Sequence, residues 1–370
     1  MSPWTNLDIS PTGDISPCCK FRTQYYEQKF NIQHTGIDEY VNSSFLKAVK
    51  REFEQNIWPL GCERCRIDEE NLVPSKRQLD YDRWKHEYTL YNNNGFITAS
   101  IGFGNVCNLK CITCLPNASS KWRNEYSKIY GIDIPKVEFL GDNFENQFKR
   151  NTKNLIHLDI PGGEPFLSNI KIQKQLLKSY IESGQSKKIT LHYTTNAQIF
   201  PDSEWWDLWS NFCEIDLQLS VDGVDKHYEY IRFPANWQIF VDNATKYLQC
   251  EKKLSNFRLS ISHTVSAYNI FYLDEFYSWC LEFGLPKPYL GRVHNPIHMR
   301  PEVWPMNIKR IIIDKLNKSY HQEVKNWSNI LLTNDIDNYE EFCQYLKQHD
   351  VYRGLNFNET FPEIAEIAFG

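Results

Sequence analysis

From residue 96 onward the sequence alternates between short apolar runs and longer stretches with helical spacing, and it does so six times. The runs are FITASIGF (96–103), LIHLDIP (155–161), KITLHYTTNA (188–197), EIDLQLSVDG (214–223), FRLSISHTVS (257–266) and KPYLGRV (287–293). Helical spacing fills the intervals, as in SSKWRNEYSKIYG, IKIQKQLLKSYIESG, SEWWDLWSNF, WQIFVDNATKYLQCEKK and FYLDEFYSWCLEFG. Strands joined by helical crossovers run parallel. Six such units predict an α/β fold, a partial (β/α)6 barrel that stays open because it falls short of eight strands. In folds of this kind ligands gather at the carboxyl ends of the strands. A three-cysteine loop follows the first run, GGEP the second, TTNA closes the third and SVDG the fourth.

Three regions follow from this pattern. Residues 96–300 form the partial barrel. Residues 1–95 form a small cysteine-rich amino-terminal domain, with one helix expected over DEYVNSSFLKAVKREFEQNIW (38–58) and a polar connector over 71–95. Residues 301–370 form a helical, polar carboxy-terminal extension.

Composition narrows the function classes. No apolar run approaches the roughly 20 residues of a membrane span, and MSPWTNLDIS lacks the basic-then-apolar layout of an export signal. The net charge is −5, with no long block of one sign. A cytoplasmic protein without a membrane or nucleic-acid partner is expected. The chain has eleven cysteines, an odd number, which argues against a full disulfide framework. Seven of them cluster: Cys18, Cys19, Cys62, Cys65, Cys107, Cys111 and Cys114. Cys213, Cys250, Cys280 and Cys343 stand alone and are expected to be small buried hydrophobes.

The loop Cys107-Asn-Leu-Lys-Cys111-Ile-Thr-Cys114 spaces three thiols by three and two residues. Three thiolates ligate three irons of a cubane cluster and leave the fourth open, as a catalytic site requires. A zinc site and plain loop thiols are the competing readings. Zinc usually takes a fourth protein ligand, and no nearby Cys or His stands at ordinary spacing.

CNLKCITC resembles the CxxxCxxC signature of the radical S-adenosylmethionine (SAM) superfamily, whose barrel is TIM-like, and the resemblance covers about residues 96–295. Gly162, Gly163, Glu164 and Pro165 resemble the family's GGEP, which implies contact with the SAM amino group. Thr195 and Asn196 resemble a strand-end motif near SAM. Ser220 and Asp222 resemble ribose-contacting positions, against the alternative of a strand-end turn. Arg232 suits the SAM carboxylate, since a guanidinium matches a carboxylate in a bidentate fork; a surface ion pair is the alternative. Family members often carry an aromatic residue before the third cysteine, where this chain has Thr113. The adenine contact is then expected to be made differently.

Residues 1–70 resemble the SPASM or twitch auxiliary-cluster domains of the same superfamily. Gly13 followed by DISP and Cys18 fits the glycine-x4-cysteine element, and GCERC fits the later CxxC. Cys18, Cys19, Cys62 and Cys65 are then ligands of a second [4Fe-4S] cluster. A zinc knuckle and a redox disulfide at Cys62 and Cys65 compete. Here the domain precedes the barrel, whereas in the family it normally follows. The resemblance implies reductive cleavage of SAM to a 5′-deoxyadenosyl radical, hydrogen abstraction from a peptide or peptide-like substrate, and a reductant such as flavodoxin or ferredoxin. A small-molecule metabolite (amino acid, amine or sugar) is the alternative substrate, and a non-catalytic electron-transfer or zinc protein the alternative class. Tyr289, Arg292 and His294 at the sixth run are candidates for substrate proton handling, with a structural role as the competing reading.

Overall fold

The structure is a computed structural model that describes residues 2–70, 75–89, 95–134, 137, 144–333 and 336–370. Its described residues fall into two compact units, built from Met1–Val106, Lys136–Tyr193 and Pro201–Ile215 in one, and Cys107–Pro135, Thr194–Phe200 and Asp216–Gly370 in the other. The fold is mixed α/β with mostly parallel strands, as the alternation predicts. The eight strands are β1 (Asn6–Ile9), β2 (Ile15–Ser16), β3 (Thr98–Ile101), β4 (His157–Ile160), β5 (Thr190–Thr195), β6 (Glu214–Ser220), β7 (Phe257–Val265) and β8 (Tyr289–Arg292). The six strands from β3 onward coincide with the six apolar runs.

In the first unit the strand order is β2-β1-β3-β4-β5. Only β1 and β2 are antiparallel; β1 with β3, β3 with β4 and β4 with β5 are parallel. The two amino-terminal strands therefore extend the same sheet as β3. Successive side chains of a strand point to opposite faces. Leu7, Ile9, Ala99, Ile101, Leu158, Ile160, Leu191 and Tyr193 are all buried. The alternate positions carry a polar row in one register: Ser16 opposite Asp8, Asp8 opposite Ser100, Ser100 opposite Asp159, and Asp159 opposite His192. Phe166, Tyr193, Trp205 and Trp209 pack together at centroid separations of 5.3–6.0 Å on the helix Ser203–Trp209 and its neighbours.

In the second unit β6, β7 and β8 follow in order, and β7 pairs with β8 in parallel. Residues 301–370 are helical, with Met306–Asn317, Gln322–Thr333, Tyr339–Arg353 and Pro362–Phe369 as the main segments. Neither run of strands closes on itself.

Three expectations need correction. The stretch 38–58 holds two helices, Gly36–Asn42 and Ser44–Glu54. Ser43 lies between them in an extended conformation, and its Oγ accepts the Leu46 N–H at 3.1 Å. A side-chain acceptor there starts a new helix rather than continuing the old one. The connector contains a helix, Lys76–Thr89; its residues 71–74 and 90–94 lie outside the described set. Of the four isolated cysteines only Cys280 is buried, while Cys213 is exposed and Cys250 and Cys343 are half-buried. Cys213 directly follows the core residue Phe212 at the start of β6, where alternation turns it outward.

Candidate functional site

The three-cysteine loop sits in the second unit and is pinned from several sides. The Lys110 N–H donates to Phe233 O at 2.7 Å, and the Ile112 N–H to Ile231 O at 2.8 Å. Ser119 Oγ donates to Leu109 O at 2.7 Å and also caps the helix Ser120–Tyr130. Trp122, fully buried on that helix, donates its ring N–H to Cys114 O at 2.8 Å. The Cys114 N–H donates to Cys111 O at 3.0 Å. A loop with its carbonyls and amides satisfied this way holds its thiols in a defined arrangement before any ligand arrives.

Burial pushes the Cys111 and Cys114 thiols up from the ordinary value, and at Cys114 the neighbouring Cys111 and Cys107 push the same way. The Arg232 guanidinium opposes that rise at both. All eleven cysteines are free of disulfides. Among the described residues no three Cys, His, Asp or Glu side chains gather around a single-ion position. The three thiols are uncrosslinked and lie on one loop, with Cys111 and Cys107 both acting on Cys114, a donor set of the kind that soft metals such as iron and zinc take.

Of the strand-end residues of the second unit, Asn196 and Asp222 act on this loop, as does Arg232. The Asn196 side-chain amide donates to Asn108 Oδ1 at 2.8 Å and lies 3.9 Å from Cys107 Sγ. The Thr195 hydroxyl accepts the Ala197 N–H, which tightens the turn at the end of β5. Asp222 and Arg232 are both buried and face each other, Oδ2 to Nε at 2.9 Å. The other oxygen of Asp222 accepts the Thr264 N–H at 2.8 Å. The buried His263 donates its Nδ1–H to Val221 O at 3.0 Å, and burial lowers it to about 4, so it is neutral. Ser220 ends β6 and is half-buried. Arg232 is thus an internal partner of Asp222 rather than a surface ion pair.

Gly162, Gly163, Glu164 and Pro165 lie in the first unit, directly after β4. The Glu164 N–H donates to Val106 O at 2.8 Å, and Ser168 Oγ reaches the same carbonyl at 2.9 Å. Val106 is the residue immediately before Cys107. Both glycines have positive φ, +89° and +53°. A Cβ on Gly163 would lie 2.5 Å from Val106 O. Gly163→Ala therefore combines left-handed strain with a backbone clash. We expect a loss of about 1–3 kcal/mol in urea unfolding of the metal-free chain; an unchanged midpoint would contradict this account of the turn.

The amino-terminal cysteines are in the first unit. Cys18, Cys62 and Cys65 line one cavity of about 30 Å³, together with Phe21, Lys76 and Arg77. Cys19 is not among its lining residues and is exposed. Cys62 ends a short turn, Leu60–Cys62, and Cys65 lies in the first turn of the helix Glu63–Glu70. Phe21 fills the space above Gly61, where a Cβ would meet its ring at 2.3 Å. The Arg22 N–H donates to Gly61 O at 2.9 Å, which ties the two cysteine pairs together. Burial pushes Cys62 up to about 12 and raises Cys18 as well. Cys18, Cys62 and Cys65 thus share one lining, with Cys19 beside Cys18, and uncrosslinked thiols are the donors that iron–sulfur clusters use.

The polar row of the first unit is a feature the sequence alone did not reveal. Ser16 Oγ donates to Asp8 Oδ2 at 3.2 Å, Ser100 Oγ to Asp159 Oδ2 at 3.2 Å, and His192 Nε2 lies 4.0 Å from Asp159 Oδ1. The period-2 pattern of each strand hinted at it, but only the register brings the residues side by side. Of the proton-handling candidates, Tyr289 is 64% exposed at the start of β8, and Arg292 pairs with the buried Glu302 at 2.6 Å. The His294 carbonyl accepts from Arg300 at 2.7 and 3.0 Å.

No curated protein matches the chain. Among solved structures, the chain is similar to anSMEcpe with bound AdoMet (17% identity, TM-score 0.45), over 65% of this chain and 62% of that one. It is also similar to SuiB of Streptococcus suis bound to S-adenosylmethionine (14% identity, TM-score 0.38), over 98% of this chain and 76% of that one. A third is TYW1 with a lysine-pyruvate adduct (16% identity, TM-score 0.35), over 60% of this chain and 74% of that one. The chain thus spans less than two thirds of the length of the first of these structures. Residues 1–66, the segment that brings Cys18, Cys62 and Cys65 to one cavity, match the SPASM family, an iron–sulfur cluster-binding domain.

Proposed function

We propose that the chain is a radical SAM enzyme with two [4Fe-4S] clusters, one on Cys107, Cys111 and Cys114 and one on the amino-terminal cysteines. The observation that carries the reading is the pinned three-cysteine loop with Asn196 against Cys107 and the Arg232–Asp222 pair acting on Cys111. When bound, the cluster and SAM supply a 5′-deoxyadenosyl radical that abstracts hydrogen from the substrate.

The chain's own residues do the positioning. Asn196 orients Asn108 and presents an N–H toward the Cys107 sulfur. The positive charge of Arg232 favours the thiolate of Cys111. Gly162 and Gly163 leave room for Pro11 and for the Val106 carbonyl, each of which a Cβ would meet at 2.5 Å. Ser220, Asp222 and Arg232 supply the hydroxyl, carboxylate and guanidinium that suit the ribose and carboxylate of SAM. Asp222 and Arg232 face each other as a buried ion pair, but neither Asp222 Oδ2 nor Arg232 Nε completes a hydrogen bond.

The domain reading assigns residues 1–95 to the auxiliary domain and connector, 96–300 to the partial barrel and 301–370 to a carboxy-terminal extension. A peptide or peptide-like substrate rests on the resemblance of residues 1–66 to the auxiliary domains of peptide modifiers. Free thiols throughout the chain suit a reducing cytoplasm with flavodoxin or ferredoxin as electron donor. Among the described residues no helix is long and apolar enough to cross a membrane.

The test is spectroscopic. The anaerobically reconstituted, dithionite-reduced protein is expected to show an electron paramagnetic resonance signal that changes when SAM is added, because SAM fills the open iron. A reduced cluster indifferent to SAM would sink the reading.

A further inference from the structure

The carboxy-terminal helix Tyr339–Arg353 ends on an arginine that is almost wholly buried, its side chain 1% exposed. Arg353 Nε meets Glu125 Oε1 at 2.6 Å, and the other oxygen of Glu125 meets Lys110 Nζ at 2.6 Å. Arg353 Nη2 also donates to Lys110 O at 2.7 Å. Lys110 lies within the cysteine loop, immediately before Cys111. The guanidinium sits over the rings of Trp122 and Phe233, at 4.9 and 5.2 Å. Trp122 is the residue that holds Cys114 O, and Phe233 O is the acceptor for the Lys110 N–H. One side chain therefore touches Lys110, Trp122 and Phe233, three of the residues that pin the segment between Cys107 and Cys114.

The helix that carries Arg353 is itself anchored beside the loop. His349 packs on Trp122 at 5.1 Å, and its Nε2 lies 3.1 Å from the Tyr130 hydroxyl. Tyr345 stacks on Tyr130 at 6.2 Å. Gly354 closes the helix in the left-handed conformation, placing the cation in the last turn, where the helix dipole favours it.

We propose that Arg353 is a positioning residue for the Cys107–Cys114 loop, acting through Glu125, Lys110 and Trp122, so that the carboxy-terminal extension is a clamp on the cluster loop. A planar fork can serve Glu125 and the Lys110 carbonyl at once, whereas lysine is a compact point charge. Arg353→Lys keeps the charge beside Glu125 and loses the second contact. The inference rests on the cluster reading of the three cysteines, and its primary readout is free of metal.

Hydrogen exchange is measured on the metal-free chain, comparing the parent with Arg353→Lys and Arg353→Ala. Exchange at the Lys110 and Ile112 amides is expected to accelerate at least about tenfold in Arg353→Lys, while the helix Trp237–Lys253 keeps the parent rate. In reconstituted protein, release of iron from the SAM-responsive cluster to a chelator is expected to accelerate by about 10–100-fold, as for other supporting shells of metal sites. A folded Arg353→Lys protein with parent rates in both measurements overturns the clamp. If Arg353→Ala fails to fold, Arg353→Lys alone decides. Accelerated exchange in a chain with no SAM-responsive cluster supports the clamp on the loop and removes the cluster reading instead.

Discussion

Glu125→Ala is expected to lower the unfolding free energy of the metal-free chain by about 3–5 kcal/mol. The Glu125 side chain is 2% exposed and stands between two cations, Arg353 and Lys110. Truncating it strands the buried guanidinium without a counter-charge, and the loss of the carboxylate also frees the Lys110 side chain. Most of the cost comes from the stranded charge rather than from the attraction lost. Glu125→Gln, which keeps the shape and one acceptor, is expected to cost less. The surface pair Lys178–Glu204, about half exposed on both sides, supplies the contrast. Lys178→Ala is expected to change stability by less than about 1 kcal/mol. Urea unfolding with all three variants checks the ordering. A Glu125→Ala midpoint equal to that of Lys178→Ala would mean that the triad is not a buried network.

Asp8→Asn is expected to stabilise the chain at pH 8 and to have little effect near pH 4. Asp8 lies in the polar row of the first unit, and burial raises its carboxyl from 3.8 to about 7. Nearby Asp159 pushes in the same direction, while Ser16 and Ser100 oppose it. Because the folded value lies above the unfolded one, the native state binds more protons between these two pH values. Stability from this group is therefore full below pH 3.8, falls as pH rises through 7, and is flat above. The span corresponds to about 4 kcal/mol, an upper bound for the gain of Asp8→Asn at pH 8. The difference between parent and variant, followed by urea unfolding from pH 4 to 8, isolates Asp8 from other titrating groups. A difference that does not grow with pH would show that Asp8 is ionised in the fold at no cost.

Local pattern made the six strands from β3 to β8 legible, because period-2 apolar runs bounded by turns are a short-range signal. The five helical stretches read between them followed for the same reason, whereas the short helices Phe144–Asn151 and Lys226–Ile231 were not read from the sequence. Nor was the helix Lys76–Thr89, since it has no apolar stripe. Its signal was Ser75-x-x-Gln78: Ser75 Oγ accepts the Gln78 N–H, and Gln78 Oε1 accepts the Ser75 N–H. That reciprocal arrangement marks a helix start. The pairing of β1 with β3 joins residues about ninety positions apart, and no local periodicity encodes it. The spacing of the cysteine loop marked it as a candidate ligand set, and the structure adds that it is one pinned loop. Its support was not legible: Arg353 and Glu125 are separated by 228 positions, and nothing in YEEFCQYLKQHDVYR distinguishes a buried arginine from a solvated one. Arg232 and Asp222 were each legible as ligand-type residues, but only the fold shows that they face each other.

The most direct measurement is 5′-deoxyadenosine formation. The protein is purified without oxygen, reconstituted with iron and sulfide, and given SAM and dithionite, alongside a Cys107→Ala/Cys111→Ala/Cys114→Ala variant. The account predicts 5′-deoxyadenosine from the parent alone, with the variant keeping about four irons on its amino-terminal cysteines. A folded, iron-loaded parent that forms none under any reductant, or a parent that takes up zinc instead, would contradict it.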